Sequence, residues 1–161
     1  ERGMFKKIAK YFLLITLLGV IITAIFNIKE NTTISEASSG GGNTSDVQLL
    51  ARAINGEARG EPYEGQVAVG AVILNRVRDS RFPNTIAGVI YQPGAFTAVS
   101  DGQINVPIDE NSTVVKAARD ALNGWDPTEG AVYYFNPNTA TNKWIWSRTV
   151  IKTIGKHRFC K

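Results

Sequence analysis

The chain has little of what disulfide or metal chemistry needs. Its 161 residues include one cysteine, Cys160, and one histidine, His157. A single cysteine excludes an intrachain disulfide, so any domain here must be held by burial alone. One His and one Cys fall short of the three or four N/S ligands of a typical zinc site, although carboxylates can contribute. No metal and no cofactor is expected. Surplus charge is also scarce, the net charge being +4. Arg2, Lys6, Lys7 and Lys10 lie at the N-terminus, and Lys152, Lys156, Arg158 and Lys161 form a small C-terminal cluster. The other cations are scattered, unlike the dense basic stripe of a nucleic-acid-binding surface, so no nucleic acid is expected as a partner. The modest basic balance is compatible with an anionic polymer without identifying one. There is no internal repeat.

One long apolar run is present, Tyr11 to Ile28, broken only by Thr16, Thr23 and Asn27. Its length is near the lower limit for spanning a bilayer. The lysines before it keep the N-terminus inside and export the chain beyond Ile28. A cleaved signal peptide is the alternative, although the run has no clean A-x-A site after it. Residues 1–30 are therefore expected to be a membrane anchor or signal segment, and the rest of the chain to be extracytoplasmic. Glu1-Arg2-Gly3 precedes Met4, and translation is expected to start at Met4. Residues 31–45, rich in Thr, Ser, Gly and Asn, read as a flexible tether. Residues 46–161 then form one domain of ordinary size, large enough for a single core.

Helices dominate the first part of that domain. Ser45-Asp46-Val47-Gln48 fits a capping box, and Val47, Leu50, Ala51 and Ile54 recur at helical spacing to about Ala58. Gly60-Glu61-Pro62 interrupts the pattern. Pro62 fits the first turn of a second helix reaching Arg78, apolar on more than one face and so expected to be central. Gly65 and Gly70 within it predict close-packed neighbours. A short helix is predicted near Thr85–Tyr91, a long polar loop over Gln92–Asn111, and a third long helix from Ser112 to a stop at Gly124. Ala131–Phe135, Lys143–Ser147 and Val150–Ile154 read as short strands, with a turn at Asn136-Pro137-Asn138. Helices first and a small antiparallel sheet last predict an α+β domain.

Glu57 is the leading candidate for chemistry. It lies near the end of the first helix, beside the core-facing Ile54 and Ala58, where partial desolvation favours a protonated carboxyl. Cleaving a glycosidic bond needs such an acid. Periodicity alone favours a surface glutamate paired with Arg59 or Arg52.

Four blocks carry a resemblance: Ala51–Val77 (ARAINGEARGEPYEGQVAVGAVILNRV), Phe82–Gly102 (FPNTIAGVIYQPGAFTAVSDG), Gly130–Pro137 (GAVYYFNP) and Ile154–Phe159 (IGKHRF). In this order they resemble the catalytic domain of the SleB/CwlJ cell wall hydrolases, which include spore cortex-lytic enzymes. The resemblance implies a lysozyme-like helical part with a small sheet, and peptidoglycan glycan strands as substrate. It implies Glu57 as the acid/base of a lytic transglycosylase acting between N-acetylmuramic acid and N-acetylglucosamine. A hydrolytic muramidase or glucosaminidase, or a noncatalytic wall-binding module, is the alternative. A hydrolase needs a second carboxylate, for which Glu61, Glu64, Asp101 and Asp109 are candidates.

By the same resemblance, Tyr134 and Asn136 are expected on the cleft wall. They share one face of a strand, an aromatic ring to stack on sugar and an amide to hold an N-acetyl group. Gln92, Phe96 and Thr97 are expected in a loop facing the site, and His157 in the terminal block is expected near the substrate. Related chains often carry an aromatic after that block's Phe, where this chain has Cys160. Asp101-Gly102-Gln103-Ile104-Asn105 has only a superficial likeness to a calcium loop, without the glycine and distal glutamate of an EF-hand. Only a short tether accompanies the domain, and no separate wall-binding domain is expected. Recognition is therefore left to the cleft, the membrane segment, or a spore or wall partner protein.

Overall fold

The computed structural model describes residues 44–161. The apolar run Tyr11–Ile28, Met4 and residues 31–43 of the expected tether lie outside the described residues. Among the described residues, no helix is long and apolar enough to cross a membrane.

Three long helices form the body. Helix α1 spans Thr44–Ala58, α2 spans Tyr63–Arg78 and α5 spans Thr113–Leu122. Between α2 and α5 lie two short helices, α3 (Ile86–Ile90) and α4 (Thr97–Ser100), and a 3-10 turn at Gln103–Asn105. After α5 come β1 (Tyr133–Phe135), the short helix α6 (Lys143–Trp146), β2 (Val150–Ile154) and β3 (His157–Cys160).

Helix α2 is central, as its apolar pattern predicts. Every residue from Gly65 to Leu74 is buried. One side joins α1 and α5 in the main core, where Leu50, Ile54, Val67, Ile73 and Val115 are almost fully enclosed. Its other side, Ala68 and Val72, packs with Ala131, Ile154 and Phe159 beneath the sheet. Gly70 sits at the tightest crossing: a Cβ there would lie 3.0 Å from Ile54 Cδ1 and 3.1 Å from Ala121 Cβ. The glycine lets three helices approach at one level, which offsets its poor helix propensity.

Helix ends obey local chemistry. The Thr85 hydroxyl accepts from Gly88 N at the start of α3, and the Ser112 hydroxyl accepts from Val115 N at the start of α5. Gly124, with φ 102°, comes after α5 in the left-handed region. Two boundaries differ from the sequence reading. Helix α1 already includes Thr44 and Ser45, so Ser45 is not its cap and the tether does not extend to residue 45. Pro62 is the cap residue of α2 rather than part of its first turn; having no N–H to place, it suits the non-helical entry.

The sheet is antiparallel with order β1-β3-β2. Tyr134 pairs with Phe159 across β1 and β3, and β2 turns into β3 through Gly155, whose φ is 57°. Lys143–Ser147 is not the expected strand. The alternation Lys-Trp-Ile-Trp imitates a strand, but the Asn142 side chain accepts from Trp144 N (2.9 Å) and starts a helical turn. Trp144 and Trp146 then cover Tyr133 and Phe135 of β1. The third strand is His157–Cys160 instead. Cys160 is fully buried in it, and burial pushes its thiol up, partly opposed by Arg148. Cys160 thus closes β3 as a small, fully buried side chain.

The loop from Gln92 to Asn111 is also more ordered than its polarity suggests. Phe96, Ala98 and Ile104 are buried and fold it into α4 and the 3-10 turn. The apolar residues of this stretch are too few and too unevenly spaced to give a helical period to read.

The approach to β1 is fixed by one carboxylate. Asp126 accepts from Thr128 N (2.8 Å), Thr128 Oγ1 (2.6 Å), Gly130 N (2.9 Å) and Asn75 Nδ2 (2.8 Å). Burial raises its pKa, but these donors outweigh burial and hold the carboxyl below the ordinary aspartate value. We expect Asp126→Ala to destabilise the domain by about 2–3 kcal/mol, read as a fall of roughly 10 °C in Tm. Because the folded pKa is depressed, this stabilisation is present above the unfolded carboxyl value and is lost as pH falls through the folded one. The stability gap between the two proteins should therefore begin to narrow as pH falls below about 4, the unfolded carboxyl value, and shrink further as pH falls through the folded one. A gap that persisted unchanged at pH 2 would refute the charge-based account.

Candidate active site

Glu57 occupies the last turn of α1 and is half-buried. Its Oε1 accepts from Ala98 N at 3.1 Å, and its Oε2 accepts from the Tyr134 hydroxyl at 3.1 Å. Helix α1, helix α4 and strand β1 thus converge on one carboxylate. Neither expected arginine pairs with it. The Arg59 guanidinium donates to Gln103 Oε1 (3.2 Å), and Arg52 Nε is buried with no hydrogen-bond partner.

Tyr134 lies where the two apolar clusters meet and packs against both. Burial, the Glu57 charge and the bond to Glu57 push its phenol well above the usual tyrosine range, with Arg76 opposing. Its hydroxyl therefore keeps its proton near neutral pH and donates a hydrogen bond to Glu57. His157 stands edge-on to the Tyr134 ring at 5.1 Å. It is 8% exposed, and its Nδ1 is buried without a hydrogen-bond partner. Burial lowers the imidazole pKa, while Glu61 and Glu57 pull it back up and Lys156 lowers it further. The net direction leaves the ring neutral near pH 7. His157, expected near the substrate, is placed here as a buried neighbour of the Tyr134 ring.

A cleft of about 360 Å³ opens beside Tyr134, with Arg76, Gln92, Tyr133, Asn142 and Trp144 among its walls. Glu57 is not among the lining residues; the Tyr134 side chain connects it to the cleft. Gln92 lines the cleft. Thr97 is exposed at the start of α4, next to the amide that holds Glu57. Phe96 is 4% exposed and belongs to the main core, so it offers no ring face to a ligand, contrary to expectation. Strand β1 ends at Phe135, and Asn136 Oδ1 accepts from Asn138 N (2.9 Å). Its amide oxygen is engaged in the turn after β1, because Asn-Pro-Asn favours that local bond over a strand continuation.

Arg76 was not evident from the sequence. Its guanidinium lies over Phe82 (5.3 Å), Phe96 (5.4 Å) and Tyr133 (5.6 Å), and its Nε donates to Val132 O (2.7 Å). Burial lowers its pKa, countered by Tyr134 and Tyr133, and a guanidinium keeps its charge regardless. Asn75, beside it on α2, donates to Ala131 O (3.0 Å). Together these two residues fix the entry of β1 and so the position of Tyr134. The available signal was an arginine in a helix otherwise apolar on several faces.

The four other carboxylates considered are engaged elsewhere. Glu61 Oε2 accepts from Lys156 N (2.8 Å), tying the α1–α2 link to the β2–β3 turn. Glu64 faces Lys152 at 3.9 Å. Asp101 and Asp109 accept from Gln103 N and Asn111 N in local turns.

A helical body with a three-stranded antiparallel sheet defines an α+β domain, in which the half-buried Glu57 is tied through Tyr134 to an aromatic cleft. Residues 60–160 match the family model described as Cell Wall Hydrolase. The chain belongs to this enzyme family. Glu57 lies just before the matched span, so its assignment depends on the geometry above. Among relatives, the spore cortex-lytic enzyme of Bacillus cereus is 65% identical over 117 residues, covering 73% of this chain and 44% of that protein. The chain thus spans less than half of that relative. The catalytic domain of Bacillus cereus SleB has a TM-score of 0.70 and 63% identity, covering 76% of this chain and 94% of that one. The catalytic domain of the germination-specific lytic transglycosylase SleB from Bacillus anthracis has a TM-score of 0.72 and 62% identity, covering 76% and 99%. The helical part and small sheet are therefore those of the SleB catalytic domain.

Proposed function

We propose that this domain cleaves peptidoglycan glycan strands as a lytic transglycosylase, with Glu57 as its single acid/base. The observation that carries the reading is the Glu57 carboxylate, held by Tyr134 and Ala98 N beside an open cleft. Protonated Glu57 gives its proton to the oxygen linking N-acetylmuramic acid to N-acetylglucosamine, and that bond to the anomeric carbon breaks. The carboxylate so formed takes the proton of the muramoyl C6 hydroxyl. The C6 oxygen bonds to the anomeric carbon and leaves a 1,6-anhydro end. One carboxylate serves both transfers, and the hydrogen bond from Tyr134 stabilises it between them. The engagement of Glu61, Glu64, Asp101 and Asp109 elsewhere favours this route over one needing a second carboxylate.

The relatives' names point to spore cortex as the wall acted on and to an extracytoplasmic place of action in the spore envelope. Residues 1–30 serve in this reading as membrane anchor or export signal, and a wall or spore partner protein can add recognition. The test is mass spectrometry of purified spore cortex and vegetative sacculi after digestion. Anhydromuramic ends from cortex are the expected product. Reducing ends would replace the transglycosylase by a hydrolase, and binding without any cleavage would leave only a wall-binding module.

A further inference from the structure

Of the chain's three tryptophans, each nearly half exposed, Trp144 is the one that lines the cleft shared with Tyr134. Trp146 leans on Phe135 and donates its indole N–H to Ala140 O (3.3 Å), and Trp125 lies against Tyr63. Neither of these two borders the cleft.

Trp144 is also held rigidly. Its backbone N–H donates to the Asn142 side chain (2.9 Å), and its carbonyl accepts from the Ser147 hydroxyl (2.7 Å). The Tyr133 ring stands perpendicular to it at 5.0 Å. The Arg148 guanidinium sits 4.6 Å over the indole and is steadied by a bond from its Nη2 to Ser147 Oγ (3.3 Å). The residue remains 47% exposed and lines the cleft. A large apolar surface fixed in this way loses little freedom on binding, so its burial contributes almost fully to affinity.

Its surroundings specify what it would bury. A pyranose ring with equatorial substituents has an apolar face of axial C–H groups and a rim of hydroxyl and acetamido groups. The cleft pairs an indole surface with polar side chains at Gln92, Asn142 and Arg76. Among the described residues, the Arg76 guanidinium has no side-chain bond other than that of Nε. We propose that Trp144 is a stacking platform for one sugar ring of the glycan strand, placed by the cleft next to the bond whose oxygen Glu57 protonates. The assignment rests on the glycan-cleaving reading above and adds a binding residue to it.

The test uses peptide-free glycan strands and calorimetry, with Glu57→Gln present so that strands bind without being cut. Adding Trp144→Ala should weaken binding about tenfold, Trp144→Phe should weaken it less, and Trp125→Ala should leave it unchanged. With Glu57 intact, Trp144→Ala should raise KM about tenfold and change kcat far less, which a merely structural defect would not do. Trp144→Phe keeps a ring against Tyr133, so the graded order can be read even if the alanine chain melts early. Unchanged affinity and KM in Trp144→Ala, while the chain still cuts walls, would overturn the platform and spare the enzyme reading. A loss seen only with peptide-bearing strands would overturn it too, making the stem peptide the occupant. A wild-type chain that neither binds nor cuts glycan would remove the enzyme reading and the platform with it.

Discussion

Glu57→Gln should lower the rate of wall cleavage by about 10²–10⁴-fold, the usual contribution of a positioned general acid/base. The amide has the size of the carboxyl and one oxygen that can still accept, from either Tyr134 Oη or Ala98 N. It can neither give a proton to the glycosidic oxygen nor take one from the C6 hydroxyl, so both steps fail together. The side chain is half-buried at a helix end and makes no ion pair among the described residues, so the fold should tolerate the change. Turbidity loss of purified cortex measures the rate, and a thermal melt measures the fold. A variant that melts like the wild type and clears cortex within a few-fold of its rate would remove Glu57 from the chemistry. It would direct attention back to the carboxylates now engaged in turns and ion pairs. A variant that melts much earlier would instead make Glu57 a structural residue, because the rate would then report folding.

Much of the scaffold behind that carboxylate is legible in the sequence, because long amphipathic segments carry their own period. The spacing of Val47, Leu50, Ala51 and Ile54 locates α1, and the Ser112 cap and Gly124 bracket α5. The several apolar faces of α2 announce its central place. The features that escape are set by contacts distant in sequence. Ala98 meets Glu57 across 41 positions, and Tyr134 meets it across 77. Phe96 resembles a ligand-facing aromatic until the aromatic cage around Arg76 draws it inward. Lys143–Trp146 alternates like a strand, and only the Asn142 cap with two rings packed on β1 makes it helical. Asn136 continues the strand's alternation on paper, but its own amide turns the chain first. Period two is therefore an unsafe guide over segments of three to five residues, where one cap or one turn decides the backbone.

The second large effect is expected one residue before the glutamate. Gly56 faces α4 so closely that an added Cβ would collide with Ala98 Cβ and lie 3.3 Å from Ala98 Cα. The obstacle is backbone and a side chain with no rotamers, so it cannot swing aside, and α4 must move. Two terms oppose each other in stability. Replacing an interior helical glycine by alanine gains about 1 kcal/mol, while overpacking costs about 1–3 kcal/mol. The net cost of about 0–2 kcal/mol should therefore lower Tm by roughly 8 °C at most. Activity has no such compensation. Moving α4 draws the Ala98 N–H away from Glu57 Oε1, and a hydrogen bond to a charged group is worth about 1.5–3 kcal/mol. If that bond acts on the carboxylate formed in the reaction, Gly56→Ala should lower kcat about tenfold to a hundredfold. The double variant Gly56→Ala/Ala98→Gly removes the colliding methyl and keeps the backbone N–H, so it should recover most of the lost rate. Failure of the second change to restore activity, with both chains folded, would show that the close approach of α1 and α4 does not position Glu57. Recovery would show that a glycine chosen by packing, rather than any residue of charge, sets the reach of the catalytic carboxylate.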